Sequence, residues 1–212
     1  GAVPAISQNT TGSVWDVSDS VYPWDALGSG SIVNIETNSS DDIGVNVTVQ
    51  GLDANYNFVE ETILTTGTNT LGSTVFIRVN RVFCDEQNTS NIDIQAGAAG
   101  GTTVARITAG FAQTLMAVYT VPAGKTAYLL HGTMTAETDT DASGLMMARY
   151  FGQDSFRVGH AFEIQSRGGQ YDYTFAVPIP LPEKTDIDVR ALSRSSNKRI
   201  TAAFDVLLVD NQ

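Results

Sequence analysis

Asp139, Asp141, Ser143 and Gly144 in DTDASG (139–144) have the spacing that opens a calcium loop of the D-x-D-x-S-G type. That pattern places carboxylate and hydroxyl oxygens at alternate positions around a hard cation. Such a loop closes with a bidentate Glu at its twelfth position, which here is Tyr150. The flanking residues alternate like strands, not helices, so a solvated loop between strands is the expected state. A looser cation contact at Asp139, Asp141 and Ser143 is the alternative.

The other reactive side chains are sparse. Asp41 and Asp42 in SSDD (39–42) form a carboxylate pair, but no partner stands at fixed spacing, and a polar loop is expected. Asp186 and Asp188 in TDIDV share one strand face, where solvent is their expected surrounding. A Ser-His-acid triad needs a nucleophile on a strained turn and a general base. Only His131 and His160 are available, each inside an alternating run, and no G-x-S-x-G elbow occurs. AGAAGG (96–101) lacks the strand–helix context and the lysine of a phosphate loop. The single cysteine, Cys84, excludes an internal disulfide and any multi-cysteine zinc site. Neither a catalytic residue, nor a metal, nor a cofactor is therefore expected.

The elements around these residues are strands. In VNVTVQ (45–50), Val45, Val47 and Val49 point one way and Asn46, Thr48 and Gln50 the other. GLDANYN (51–57) supplies turn residues, and FVEETILTT (58–66) can return as the partner of a hairpin. STVFIRVNRVF (73–83), SNIDIQAG (90–97) and TTVARITAG (102–110) continue the alternation. In the second half FAQTLMAVYTV (111–121) and TAYLLHGTMTAE (126–137) flank the turn PAGK. Further strands are expected in 144–152, 156–165, 170–181, 185–193 and 200–210. Turn signals every ~10–12 residues are the mark of sandwiches and barrels. The expected fold is all-β: two antiparallel, jelly-roll-like β-sandwich domains, 31–110 and 111–212. Residues 1–30, turn-rich and carrying Trp15, Tyr22 and Trp24, read as an extended N-terminal arm that docks on a larger particle.

Of the net charge of −11, residues 1–110 carry −9 and residues 111–212 carry −2. An acidic first half repels phosphates, so no nucleic-acid partner is expected, and the asymmetry suggests two domains in different surroundings. RGG (167–169) and RSSNKR (194–199) are the basic spots, read as turns or as contacts for an acidic neighbouring subunit. The longest apolar runs, such as VLLV (206–209), fall far short of the ~20 residues of a membrane helix, and no membrane partner is expected. The first residues have neither the basic nor the apolar region of a signal peptide. N-x-S/T triplets begin at Asn9, Asn38, Asn46 and Asn88.

Taken together, VTVQGLDANYNFVEETILTTGT, FIRVNRVF, QTLMAVYTVPAGKTAYL, VPIPLPEKTDIDVRALS and AFDVLLVDN resemble a group of virion structural proteins of tailed, notably aquatic, phages. The resemblance covers residues 40–212 in order; VWDVSDSVYPWDA fits the group's entry segment loosely. It implies a non-enzymatic virion component, capsid decoration or appendage. Such a component assembles as a symmetric homo-oligomer, a trimer above all, with major capsid or tail proteins as partners. It implies no catalytic residues. The alternatives are a tail-tip or fibre module binding host glycans through Tyr119, Tyr128, Tyr150, Tyr171 and Tyr173, and a self-assembling bacterial surface or filament protein.

Overall fold

The computed structural model describes residues 1–137, 139–164, 169–195 and 198–212. Arg167, Gly168, Ser196 and Asn197 of the two basic spots lie outside the described residues. The chain is all-β, with antiparallel sheets throughout. Its strands run β1 (Ala2–Ile6), β2 (Thr11–Ser13), β3 (Val33–Thr37), β4 (Asn46–Leu52), β5 (Phe58–Leu64), β6 (Asn69–Leu71), β7 (Arg78–Cys84) and β8 (Ile92–Ala96). They continue with β9 (Thr103–Ile107), β10 (Val118–Thr120), β11 (Lys125–Ala136), β12 (Ala142–Arg149), β13 (Arg157–Ile164), β14 (Gln170–Leu181), β15 (Asp186–Ser193) and β16 (Lys198–Asp210).

Two compact units result, and they are nested, not serial. Unit 1 is Gly1–Tyr22 with Ala117–Gln212; unit 2 is Pro23–Met116. The sequence boundary expected near 110 thus falls a few residues late, and a second boundary lies at Tyr22. Unit 1 consists of a first sheet, β1-β16-β11-β14, and a second sheet, β10-β15-β12-β13, with β2 also on β15. β2 and β10 are two halves of one strand. Ser13 faces Arg190 and Val118 faces Asp188 along β15. Between them Val14 donates to Val189 O at 2.8 Å, and Ala117 donates to Val14 O at 2.8 Å. Counted that way, the sheets have the four-plus-four order and sheet-to-sheet crossings of a jelly roll. Unit 2 is inserted, in sequence, into the middle of that strand.

The N-terminal arm is a correction. β1 pairs with β16, Ala2 opposite Thr201 and Val3 opposite Ile200, and Val3 and Ile6 are fully buried. Trp15, Tyr22 and Trp24 are 2%, 4% and 6% exposed. Trp15 donates its Nε1–H to Ser20 O and packs edge-on to Tyr22 at 5.2 Å, within unit 1. Trp24 lies in unit 2 under the Arg78 guanidinium, 5.7 Å from the ring centroid. These aromatics are buried by the fold itself, so they offer no free surface for docking.

Unit 2 is a sandwich of β6-β3-β8-β9 and β5-β4-β7 around Ile35, Val47, Val49, Phe76, Val82, Ile92 and Ile94. The expected hairpin is β4–β5, Leu52 opposite Phe58, with Val45, Val47 and Val49 inward. Asp53 closes its turn by accepting from the Asn55 and Asn57 N–H groups at 2.8 Å each. Alternation fails over residues 73–83, where Phe76, Ile77, Arg78 and Val79 are all buried. The strand begins only at Arg78, and Asn80 forms a bulge against β4, which resets the inward side. FAQTLMAV is an irregular connection, with strand only from Val118.

Candidate interaction surface

The strands of the first sheet of unit 1 decide what that sheet shows to water. Ala127 and Leu129 on β11 point into the core, at 0% and 4% exposure. Tyr128 between them points out, and its register partners Leu207 on β16 and Pro180 on β14 share that face. Thr126 and Val209 are the next outward pair. Leu207 is 54% exposed and Val209 41%. Opposite Leu130, β14 places four residues, 175–178, as a bulge whose Val177 is 80% exposed. Pro178 and Pro180 withhold donors along this edge strand, which blunts it for simple strand addition.

Polar groups bound the apolar centre at both ends. At one end the Lys125 ammonium pairs with Asp210, and Thr126 Oγ1 donates to Asn211 Oδ1 at 2.7 Å. At the other, a bulge at Leu130 turns His131 outward, between Asp172 (Nε2 to Oδ1, 3.0 Å) and Asp205 (Nδ1 to Oδ2, 3.3 Å). The hydrogen bond with Asp172 and the charges of both carboxylates hold the imidazole above its ordinary pKa, outweighing the opposing loss of hydration. The carboxylates meet opposite ring nitrogens, so the three groups cannot converge on one ion. Among the described residues no cluster of His, Cys, Asp and Glu is arranged to hold a metal.

The residues singled out by sequence are dispersed. Asp139 sits at φ 60 in a turn, Asp141 is exposed, and Ser143 on β12 donates to both Glu163 oxygens at 2.8–2.9 Å. The three do not gather into a loop of ligands. Asp186 and Asp188 face away from the core yet are 3% and 0% exposed, a correction. Asp186 holds Arg149 at 2.8 Å and accepts from Thr120 Oγ1 at 2.6 Å; Asp188 holds Arg190 at 2.8 Å. Phe156 lies between the two guanidiniums, 5.0 and 4.8 Å from its centroid. Two Asp–Arg pairs so placed are structural cross-links on the outer face of the second sheet. In unit 2, Asp42 of SSDD is fully buried and accepts four hydrogen bonds from Thr89 and Ser90. Burial opposes its ionisation, but those bonds win and keep its carboxyl below the ordinary range. Cys84 is buried, and loss of hydration pushes its thiol pKa up.

No family model, curated protein or solved structure matches the chain.

Of the tyrosines considered for glycan stacking, only Tyr173 is well exposed, at 43%, and its face is taken by His160, 5.2 Å away. Phe162 and Tyr171 stack at 3.8 Å and 10°, and His160 Nε2 bonds the Tyr171 hydroxyl. These rings close the gap between β13 and β14, edge strands of different sheets. Sequence reasoning missed the apolar face of the first sheet. Its signal was the run AAFDVLLVD, where alternation gives way to consecutive apolar residues at the end of β16, which β11 pairs and β1 does not reach.

Proposed function

We propose that this chain is a non-enzymatic structural subunit of a tailed-phage particle, a capsid decoration or appendage protein. It assembles as a symmetric homo-oligomer, a trimer, through the outer face of the first sheet of unit 1. One observation carries the reading: Leu207, Val209 and Pro180 stand exposed around Tyr128 on a sheet face, bounded at both ends by ion pairs and hydrogen-bonded polar groups. An apolar centre with a polar rim is the anatomy of a protein interface, and contiguous apolar exposure on a folded unit marks an association site. Three copies turn this face toward one three-fold axis, the β16 side of each meeting the β14 side of the next, and rotational symmetry closes the ring. The likeness of residues 40–212 to phage virion proteins supports the particle as the place where such oligomers sit, beside capsid or tail proteins.

Sedimentation and native mass spectrometry of the full chain test this. The wild type is expected at three times the 22.6 kDa chain mass. The double variant Leu207→Glu/Val209→Glu is expected as a monomer with an unaltered circular dichroism spectrum. A wild type that remains monomeric at tens of micromolar, or a double variant that stays trimeric, refutes the assignment of this face.

A further inference from the structure

Between the two sheets of unit 1, where the aromatic closure of the β13/β14 edge ends, lies a cavity of about 280 Å³. Its floor is apolar: Leu129, Met146, Ala148, Leu181 and Ile187, each buried by the fold itself. Its mouth carries Tyr150, Arg157 and His160, and no acidic side chain lines it. In a chain of net charge −11, that is a selective arrangement.

Arg157 reaches the mouth because of a bulge. On β13 His160 faces Met146 and Val158 faces Met147, so Gly159 is an extra residue. Met146 is a core residue, which makes its partner His160 inward; Met147 and Val158 then point out, and Ala148 with its partner Arg157 points in. Val158, 51% exposed, agrees with that parity. Were Gly159 paired in register instead of bulged, strict alternation would turn Arg157, three residues from His160, outward. Bulges re-aim side chains at functional sites. The guanidinium forms no ion pair with any described residue. An inward charge on an edge strand also discourages strand addition, but that role needs neither a cavity behind it nor the exclusion of acids around it.

We propose that this cavity binds a single short aliphatic chain ending in a carboxylate, the chain against the Leu129–Ile187 floor and the carboxylate on Arg157. Arg157 is suited to a carboxylate because its fork of donors matches the two oxygens. The volume lies just under the ~300–1,000 Å³ of small-molecule sites, with room for one short alkyl chain and not for the two tails of a phospholipid. The inference rests on the cavity and not on assembly, so the monomeric Leu207→Glu/Val209→Glu variant is expected to bind equally.

Isothermal titration calorimetry of the full chain with hexanoate, heptanoate and octanoate tests it. One saturable site per chain is expected, tightening about fourfold per added methylene, the equivalent of burying one CH₂. Octan-1-ol and octylammonium are expected to bind at least about tenfold more weakly than octanoate, the loss of a charge-assisted hydrogen bond. Arg157→Gln, at an exposed position, should weaken octanoate about tenfold or more and leave octan-1-ol unchanged. Ala148→Leu, which fills the floor, should abolish binding while the circular dichroism spectrum is retained. The absence of saturable binding in the millimolar range overturns the proposal. So does equal binding of octanoate and octan-1-ol with no effect of Arg157→Gln, which would make the cavity a packing void.

Discussion

Replacing Asp42 by Asn tests how unit 2 is held together. The carboxylate has no exposed surface, and it receives the Thr89 N–H (2.7 Å) and hydroxyl (3.0 Å) at one oxygen. The other oxygen receives the Ser90 N–H (2.9 Å) and hydroxyl (2.6 Å). Asparagine keeps one acceptor oxygen and turns an NH₂ toward the other pair of donors. The Ser90 hydroxyl can rotate to accept, but its backbone N–H then faces a donor with no remedy. Hydrogen bonds to a charged group contribute about 1.5–3 kcal/mol each, and a buried donor left unmet costs about 1–3 kcal/mol. One bond is lost outright and the others fall to neutral strength, so Asp42→Asn should destabilise unit 2 by about 3–5 kcal/mol. That is a large share of the ~5–15 kcal/mol of an ordinary domain. Each unit contains one tryptophan, Trp15 in unit 1 and Trp24 in unit 2. Urea unfolding followed by fluorescence in a Trp15→Phe background therefore reports unit 2 separately, which matters because two units need not unfold as one. The folded pKa of Asp42 lies below its unfolded value of about 3.9. Its stabilisation is complete above that unfolded value and disappears as pH falls through the folded pKa, so the gap between wild type and variant should close in acid. A loss below 1 kcal/mol at neutral pH, or a gap independent of pH, would refute the argument.

Three further outcomes are expected. A Cβ on Gly144 would lie 2.2 Å from the Phe162 ring, so Gly144→Ala must displace Phe162 from Tyr171 and should cost about 1–3 kcal/mol, read as a lower melting temperature of unit 1. His131 has a raised pKa in the folded state, so its contribution is complete below the unfolded value of about 6.5 and is lost as pH rises through the folded pKa. His131→Gln should therefore abolish a decline in unit 1 stability on that rise, and its NMR titration should show a midpoint above 6.5 in the wild type. Deleting residues 1–22 removes β1 and half of the β2/β10 edge strand, and with them the buried Val3, Ile6 and Val14; unit 1 should lose its cooperative melt, whereas a docking arm would leave a folded remainder.

Local chemistry made much of the fold readable. The Val45–Val47–Val49 alternation, the Asp53 turn and the return strand at Phe58 form a hairpin because their partners lie within a few residues, so period-two patterning and turn preference suffice. The same holds for the scarcity of reactive groups: residue types are visible without coordinates. The candidate surface was half legible, since AAFDVLLVD shows an apolar run but not which of its residues face outward. That depends on the bulge at Leu130 in the neighbouring strand, 70 or more residues away in sequence.

By itself the sequence determined an all-β chain built from short antiparallel strands, with an acidic first half and little reactive chemistry. Tertiary structure decided what could only be fixed by distant partners. It closed one jelly-roll strand from Thr11–Val14 and Ala117–Thr120, and it buried Trp15, Tyr22 and Trp24 within the fold instead of leaving them on an arm. It also buried Asp186 and Asp188 against arginines and turned Arg157 inward behind a single extra glycine. Strand pairing explains the division. A strand's pattern states that one side is apolar, but register and bulges, set by neighbours far along the chain, choose the side and what meets it.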